Sequence, residues 1–200
     1  MTASIDMLVK PTLTGRRVVV RPVSVDDVPG LLDMLADPEG NRLTGTRAEF
    51  DEETAHRWYT TRGEQDDRLD LAIVERASGE YAGEVVLNDL DAGNRSIGFR
   101  IALRAGFQDR GLGSEATRLV VDYAFDTLGL HRIGLEVYAF NPRARHVYER
   151  AGFVYEGTRR DALLWDGEWF DAIEMAILAS DPRLSGQIAA QGVLRSTSEG

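Results

Sequence analysis

The stretch Gln108-Asp109-Arg110-Gly111-Leu112-Gly113-Ser114-Glu115-Ala116 constrains this chain more than any other. An apolar run from Ile97 to Leu103 leads into it. A helical repeat of Leu112, Ala116, Leu119, Val120, Tyr123 and Ala124 leads out, with Gly129 placed to stop it. Two glycines with one residue between them, at a strand-to-helix junction, allow a tight turn and a close approach of backbone to a ligand. The first amides of the helix lack internal partners and sit at the positive end of its dipole. Such a place suits a phosphate, so the loop is expected to hold the pyrophosphate of a nucleotide-like cofactor.

The flanking chain says what kind of fold carries the loop. Val18, Val19 and Val20 read as a strand ended by Pro22. Ser24 is a good helix N-cap, and Val28, Leu31, Leu32 and Leu35 repeat at helical spacing until Asp37-Pro38-Glu39-Gly40. Asn41 to Phe50 reads as a polar loop and Asp51 to Arg62 as a second helix. Leu69–Glu75, Tyr81–Leu87 and Ser96–Leu103 form an antiparallel meander, with turns at Ala77–Glu80 and Asn88–Asn94. After the glycine loop and its helix come a strand from His131 to Tyr138 and a short helix from Asn141-Pro142 to Ala151, closed by Gly152. A final hairpin turns at Asp166-Gly167. The expected architecture is α/β (α+β): one mixed, mostly antiparallel sheet of about seven strands flanked by about four helices. Residues 1–15 read as a lead-in, 16–180 as the domain and 181–200 as a tail, in which Gln187 to Leu194 has weak helical character.

Composition narrows the function. Two hundred residues fit one domain. The absence of cysteine excludes disulfides, thiolate metal sites and a cysteine nucleophile, and fits a cytoplasmic protein. No apolar run reaches membrane-spanning length, and the N-terminus does not read as a signal peptide. A net charge of −10 argues against binding nucleic acid and favours a cationic substrate. His56, His131 and His146 are scattered without metal-ligand spacing, so no metal is expected.

Gly111-x-Gly113-x-x-Ala116, with Glu136 some twenty residues on, also fits a dinucleotide fingerprint. Against it, Arg104 to Arg110 separate the strand from the first glycine, the motif follows a meander, and Glu136 lies inside its strand. Instead Gln108-x-x-Gly111-x-Gly113 resembles the first signature of the Gcn5-related N-acetyltransferases (GNAT). Asn141-x-x-Ala144-x-x-x-Tyr148-Glu149-Arg150-x-Gly152-Phe153 resembles the second. The last stretch, from Glu156-Gly157 through Asp166-Gly167-Glu168-Trp169 to Met175, looks like the branch that acetylates ribosomal-protein N-termini. The resemblance covers about residues 15–178.

It implies acetyl-CoA as cosubstrate and a primary amine as acceptor, either a protein N-terminus or a small cationic amine. Backbone amides from Asp109 to Ser114, including those of Arg110, Gly111, Leu112 and Gly113, are then expected to hold the pyrophosphate, with Gln108 as a positioning residue. The resemblance also implies that backbone groups of Ile101, Ala102 and Leu103 pair with pantetheine as an added strand. Ile101 would then steady the thioester carbonyl. Asn141 is an N-cap and a candidate contact to the cofactor; Arg143 and Arg145 are candidates for the 3′-phosphate. Tyr148 is the candidate general acid.

Direct attack within a ternary complex is expected, since no nucleophilic cysteine or G-x-S-x-G elbow is present. Many relatives carry a glutamate where this chain has Ser96, so Glu84 on the neighbouring strand is the substitute base, with Asp89 and Asp91 in the adjoining turn. A water chain or an amine arriving neutral would need no carboxylate. The acceptor side is expected from the Asn41–Phe50 loop, Trp58, Tyr59 and the Trp165–Trp169 hairpin, and a homodimer through the last hairpin is a possible arrangement. A coenzyme A-binding sensor or scaffold that has lost catalysis is the alternative from another class.

Overall fold

The computed structural model describes residues 5–47 and 49–183. The expected tail helix at Gln187–Leu194 lies outside them. One eight-stranded sheet runs in the order β1-β2-β3-β4-β5-β6-β8-β7. Its strands are β1 (Leu13–Thr14), β2 (Val18–Pro22), β3 (Leu69–Glu75), β4 (Tyr81–Asp91), β5 (Ser96–Leu103), β6 (Arg132–Tyr138), β7 (Val154–Trp165) and β8 (Glu168–Leu178). Every neighbouring pair is antiparallel except β5 and β6. The helices among the described residues are α1 (Val28–Leu35), α2 (Pro38–Thr44), α3 (Glu52–Arg62), α4 (Leu112–Asp126) and α5 (Pro142–Ala151).

Beyond the expected elements the structure has α2 and the two-residue β1. Asp37-Pro38 both stops α1 and starts α2. The Asp37 side chain accepts a hydrogen bond from the Glu39 amide, Pro38 occupies the first turn, and Gly45 closes the helix at φ 64°. β4 also runs to Asp91, past the turn expected at Asn88. A bulge between Asn88 and Asp91, with Asp89 at φ 58°, absorbs the irregular sequence, and the chain reverses after it.

Helices cover both faces of the sheet. β3 is buried along nearly its whole length, as a strand between two helical layers must be. On one face, Leu112, Ala116, Leu119 and Val120 of α4 share a core with Val18, Val20, Leu87, Ile97 and Ile133. On the other, Val28 and Leu31 of α1 and Ala55 and Tyr59 of α3 form a second, smaller cluster. Gly30, which breaks the helical pattern of α1, sits over the Tyr81 ring; a Cβ there would lie 2.5 Å from Tyr81 Cδ1.

Two adjacent residues of β4 carry unusual constraints. Gly83 has φ 152°, and a Cβ on it would lie 2.1 Å from the Ala102 carbonyl oxygen. Gly83→Ala is expected to lower the unfolding free energy by roughly 2–4 kcal/mol, read as a drop in denaturant midpoint. Glu84 follows it with Oε1 buried and unpartnered. Burial, reinforced by the Asp27 charge, pushes its carboxyl up to about 8 from an ordinary 4.5. The folded state therefore keeps the proton that the unfolded chain loses near pH 4.5. Stability present below pH 4.5 is lost as pH rises to 8, by on the order of 3–5 kcal/mol. Glu84→Gln is expected to abolish this slope and raise the melting temperature at pH 8; a variant that melts with the wild-type pH dependence refutes the assignment.

Candidate functional site

The site is a consequence of incomplete pairing. β5 and β6 are hydrogen-bonded only from Ser96–Gly98 to Arg132–Gly134. Beyond Gly98, β5 stays on β4 as far as Leu103, and β6 stays on β8 as far as Tyr138. The two strands splay, and each leaves one edge of backbone donors and acceptors without a strand partner. A cavity of about 690 Å³ fills the gap, with Ile101, Ala102 and Leu103 along one wall and Leu135 to Tyr138 along the other. The free edge at Ile101, Ala102 and Leu103 is where the sequence places strand addition.

The glycine loop closes one end. Gln108 and Gly113 line the cavity. Asp109 at φ 58° and Gly111 at φ 76° turn the chain, and Gly111 caps α4 without a side-chain acceptor, so the first amides of α4 have no cap. Glu115 fixes the helix start by accepting hydrogen bonds from the Arg16 and Arg17 amides at 2.8 and 2.7 Å. The Leu112 side chain is buried in the core, which leaves only its backbone for a ligand, and Ser114 is exposed in the first turn of α4.

The arginines are distributed differently from expectation. The Arg110 guanidinium turns away from the cavity to pair with Glu75 at 2.5 Å, so only its amide remains available to the loop. Arg145 pairs with Glu149 at 2.8 Å and does not line the cavity; one helical position places it on the outer face of α5. Arg143 takes the inner position, donating to Gln108 Oε1 at 3.1 Å and pairing with Asp109 at 3.2 Å. It ties α5 to the glycine loop.

Tyr148 is brought to the cavity wall on α5. Its ring is 7% exposed and packs edge-on against Phe99, with centroids 6.2 Å apart. Among the described residues no group hydrogen-bonds its hydroxyl. Burial pushes the phenol up to about 12, opposed by the nearby charge of Arg100. The group is therefore a held, protonated donor at neutral pH. Asn141 does two jobs at the same end. Its Oδ1 accepts from the Ala144 amide at 3.1 Å, starting α5, and its Nδ2 donates to the Leu43 carbonyl at 3.4 Å, tying α5 to α2.

Glu84 is not brought to this constellation. It does not line the cavity: it lies on β4 opposite Ala102, one strand back from the splay, desolvated near Asp27. Asp89 does line it, turned there by the bulge. The acceptor side also departs from expectation. Asn41 to Thr46 contribute as expected, chiefly as helix α2, joined by Met34 and Leu35 of α1. Trp58 packs at a tilt against Phe50 and Tyr59 is buried in the smaller core, while Trp165 and Trp169 lie outside the cavity lining. The sequence reading missed Arg100 as a cavity residue. Its signal is a single cation between Phe99 and Ile101 in an otherwise apolar run. Among the described residues no group of three or more His, Asp or Glu is placed to hold a metal ion, and no helix is long and apolar enough to cross a membrane.

A splayed strand pair, an uncapped glycine-led helix and a buried phenol match a donor site for a long thioester cosubstrate, and similarity to known proteins agrees. Residues 17–154 match the acetyltransferase (GNAT) domain. The chain is 29% identical over 133 residues to spermidine N(1)-acetyltransferase of Escherichia coli, covering 66% of this chain and 72% of that one. It is 33% identical over 85 residues to a ribosomal-protein alanine N-acetyltransferase of the same species, covering 42% of this chain and 43% of the relative. The fold matches that of spermidine N-acetyltransferase from Vibrio cholerae in complex with CoA and spermine, with TM-score 0.77, 23% identity and coverage of 83% and 98%. The chain belongs to the GNAT acetyltransferase family and is an acetyl-CoA-dependent N-acetyltransferase.

Proposed function

We propose that this enzyme acetylates a primary amine by direct attack on acetyl-CoA, with Tyr148 as the general acid. The observation that carries the reading is the position of Tyr148: a protonated phenol on the wall of a cleft whose end is the uncapped helix α4. The pyrophosphate rests on the amides from Asp109 to Ser114, held in place by Arg143 and Glu115. Pantetheine adds as a strand to the free edge of Ile101, Ala102 and Leu103. The Ile101 backbone faces the developing oxyanion. The amine nitrogen bonds to the acetyl carbon, the carbon–sulfur bond breaks, and the Tyr148 hydroxyl gives its proton to the leaving sulfur. The proton released by the amine passes through cavity water toward Asp89, the acid the bulge delivers to the wall in place of Glu84.

The acceptors in the relatives' names are a polyamine and a ribosomal protein. They share a primary amine, and the reading carries over that shared chemistry. We place the domain at about residues 16–180: the family match spans residues 17–154 and β8 carries the sheet on to Leu178. Tyr148→Phe is expected to lower kcat on the order of 10²-fold while acetyl-CoA still raises the melting temperature as it does for wild type. Undiminished thiol release by the variant removes the role from Tyr148.

A further inference from the structure

The cavity that holds the reaction carries four charged side chains, Asp89, Arg100, Glu136 and Arg143. Two are committed. Arg143 is held by Asp109 and Gln108. Glu136 is ion-paired and hydrogen-bonded with Arg159. Arg100 is exposed to the cavity, and among the described residues it has no ion pair, no hydrogen bond and no aromatic ring beneath it. It lines the same cavity as Tyr148 on α5 and Tyr138 on β6. A guanidinium in this setting is a rigid fork of donors without an acceptor.

Several aromatic rings of the chain already carry a guanidinium. Arg42 lies 4.3 Å from the centre of the Phe140 ring and 5.6 Å from that of Phe170. Arg47 lies 5.4 Å from Trp165, and Arg62 lies 4.2 Å from Trp58. Of these rings Phe140 lines the cavity, and there the chain's own Arg42 takes a face that a polyamine would use. Asp89, which accepts a hydrogen bond from the Asn88 side-chain amide at 2.6 Å but is in no ion pair among the described residues, and Arg100 remain, on neighbouring strands whose register pairs Asn88 with Gly98 and Val86 with Arg100. One wall of the cavity therefore carries an acid followed by a base.

We propose that the acceptor is a small primary amine that bears a carboxylate, as an α-amino acid does, and that Arg100 determines this specificity by binding the carboxylate. The inference rests on the acetyl-transfer reading and goes beyond it in naming the acceptor class. The ammonium end faces the Asp89 side, where its proton leaves. The carboxylate takes the charge-assisted hydrogen bonds that Arg100 lacks. A polycation meets the same guanidinium as a like charge and is disfavoured.

The test is thiol release from acetyl-CoA with the full chain, using the α-amino acids, their methyl esters, an amidated peptide with a free N-terminus, and spermidine. The proposal expects free amino acids to exceed their esters, the peptide and spermidine in kcat/KM. Arg100→Met is expected to reduce the acid-to-ester ratio on the order of 10- to 100-fold, chiefly through KM, with Arg100→Lys retaining part of it. Retention of the acetyl-CoA thermal shift identifies a folded variant. Esters, peptide or spermidine matching the free acids in the wild-type enzyme overturns the proposal. So does a wild-type enzyme that binds acetyl-CoA yet turns over no amino acid, and so does an acid-to-ester ratio unmoved in Arg100→Met. Failure of acetyl-CoA to raise the wild-type melting temperature overturns instead the acetyl-transfer reading beneath it.

Discussion

The parting of β5 from β6 after Gly98 and Gly134 is the constraint on which the rest of this structure depends. Each strand keeps its other neighbour, so the sheet remains one sheet while its middle opens. An ordinary sheet defect of this size would leave orphaned backbone groups in the core. Here the orphaned edges face a cavity, and a ligand with its own amides can satisfy them. The same opening gives α5 access to the interior, which is how Tyr148 reaches a cleft formed by strands it does not belong to. Side chains secure the opening from both ends. Glu115 holds the start of α4 to the chain before β2, and Arg143 and Asn141 hold α5 to the glycine loop and to α2.

Tyr148 and Glu84 show how burial separates a usable acid from an unusable one. Both are desolvated, and both are pushed toward the protonated form. For a phenol that direction preserves what a general acid needs, a proton available to a better base formed in the reaction. For a carboxyl meant to accept a proton at neutral pH it works in the wrong direction unless the substrate lies within reach, and Glu84 does not line the cavity. An acid at the solvent-facing bulge, such as Asp89, keeps contact with water and with the cavity at once.

Much of this was legible in the sequence because it is local. The glycine loop, the Asn141-Pro142 helix start and the Asp166-Gly167 turn each have a chemistry that specifies backbone shape over a few residues. The elements they bound follow with little error. What escaped depends on contacts between distant segments or on a strand's parity. Asp37-Pro38 spells a helix start as well as a helix stop, and nothing nearby decides that both apply. The bulge at Asn88–Asp91 reverses which side chains of that stretch face the cavity, turning Asp89 in while Glu84 stays outside the cavity lining. Arg143 and Arg145 differ by two helix positions, and only the docking of α5 tells which one meets the loop.

Charge acts on two scales, that of the whole chain and that of the site. A net charge of −10 suggests a protein that attracts cations. That field acts at long range and is screened within about 10 Å in physiological salt. Inside the cavity the ligand meets individual groups at close range, where desolvation weakens screening and pairing decides the sign. The acids nearest the site are largely spent: Glu136 on Arg159, Asp109 on Arg143, Glu149 on Arg145. Phe140, on the cavity wall, carries Arg42 on its face. On the proposed reading, the field at the acceptor position is set chiefly by Asp89 and Arg100, one charge of each sign. An acidic surface speeds the approach of many molecules, but the group left unpaired at the end of the path decides which of them stays.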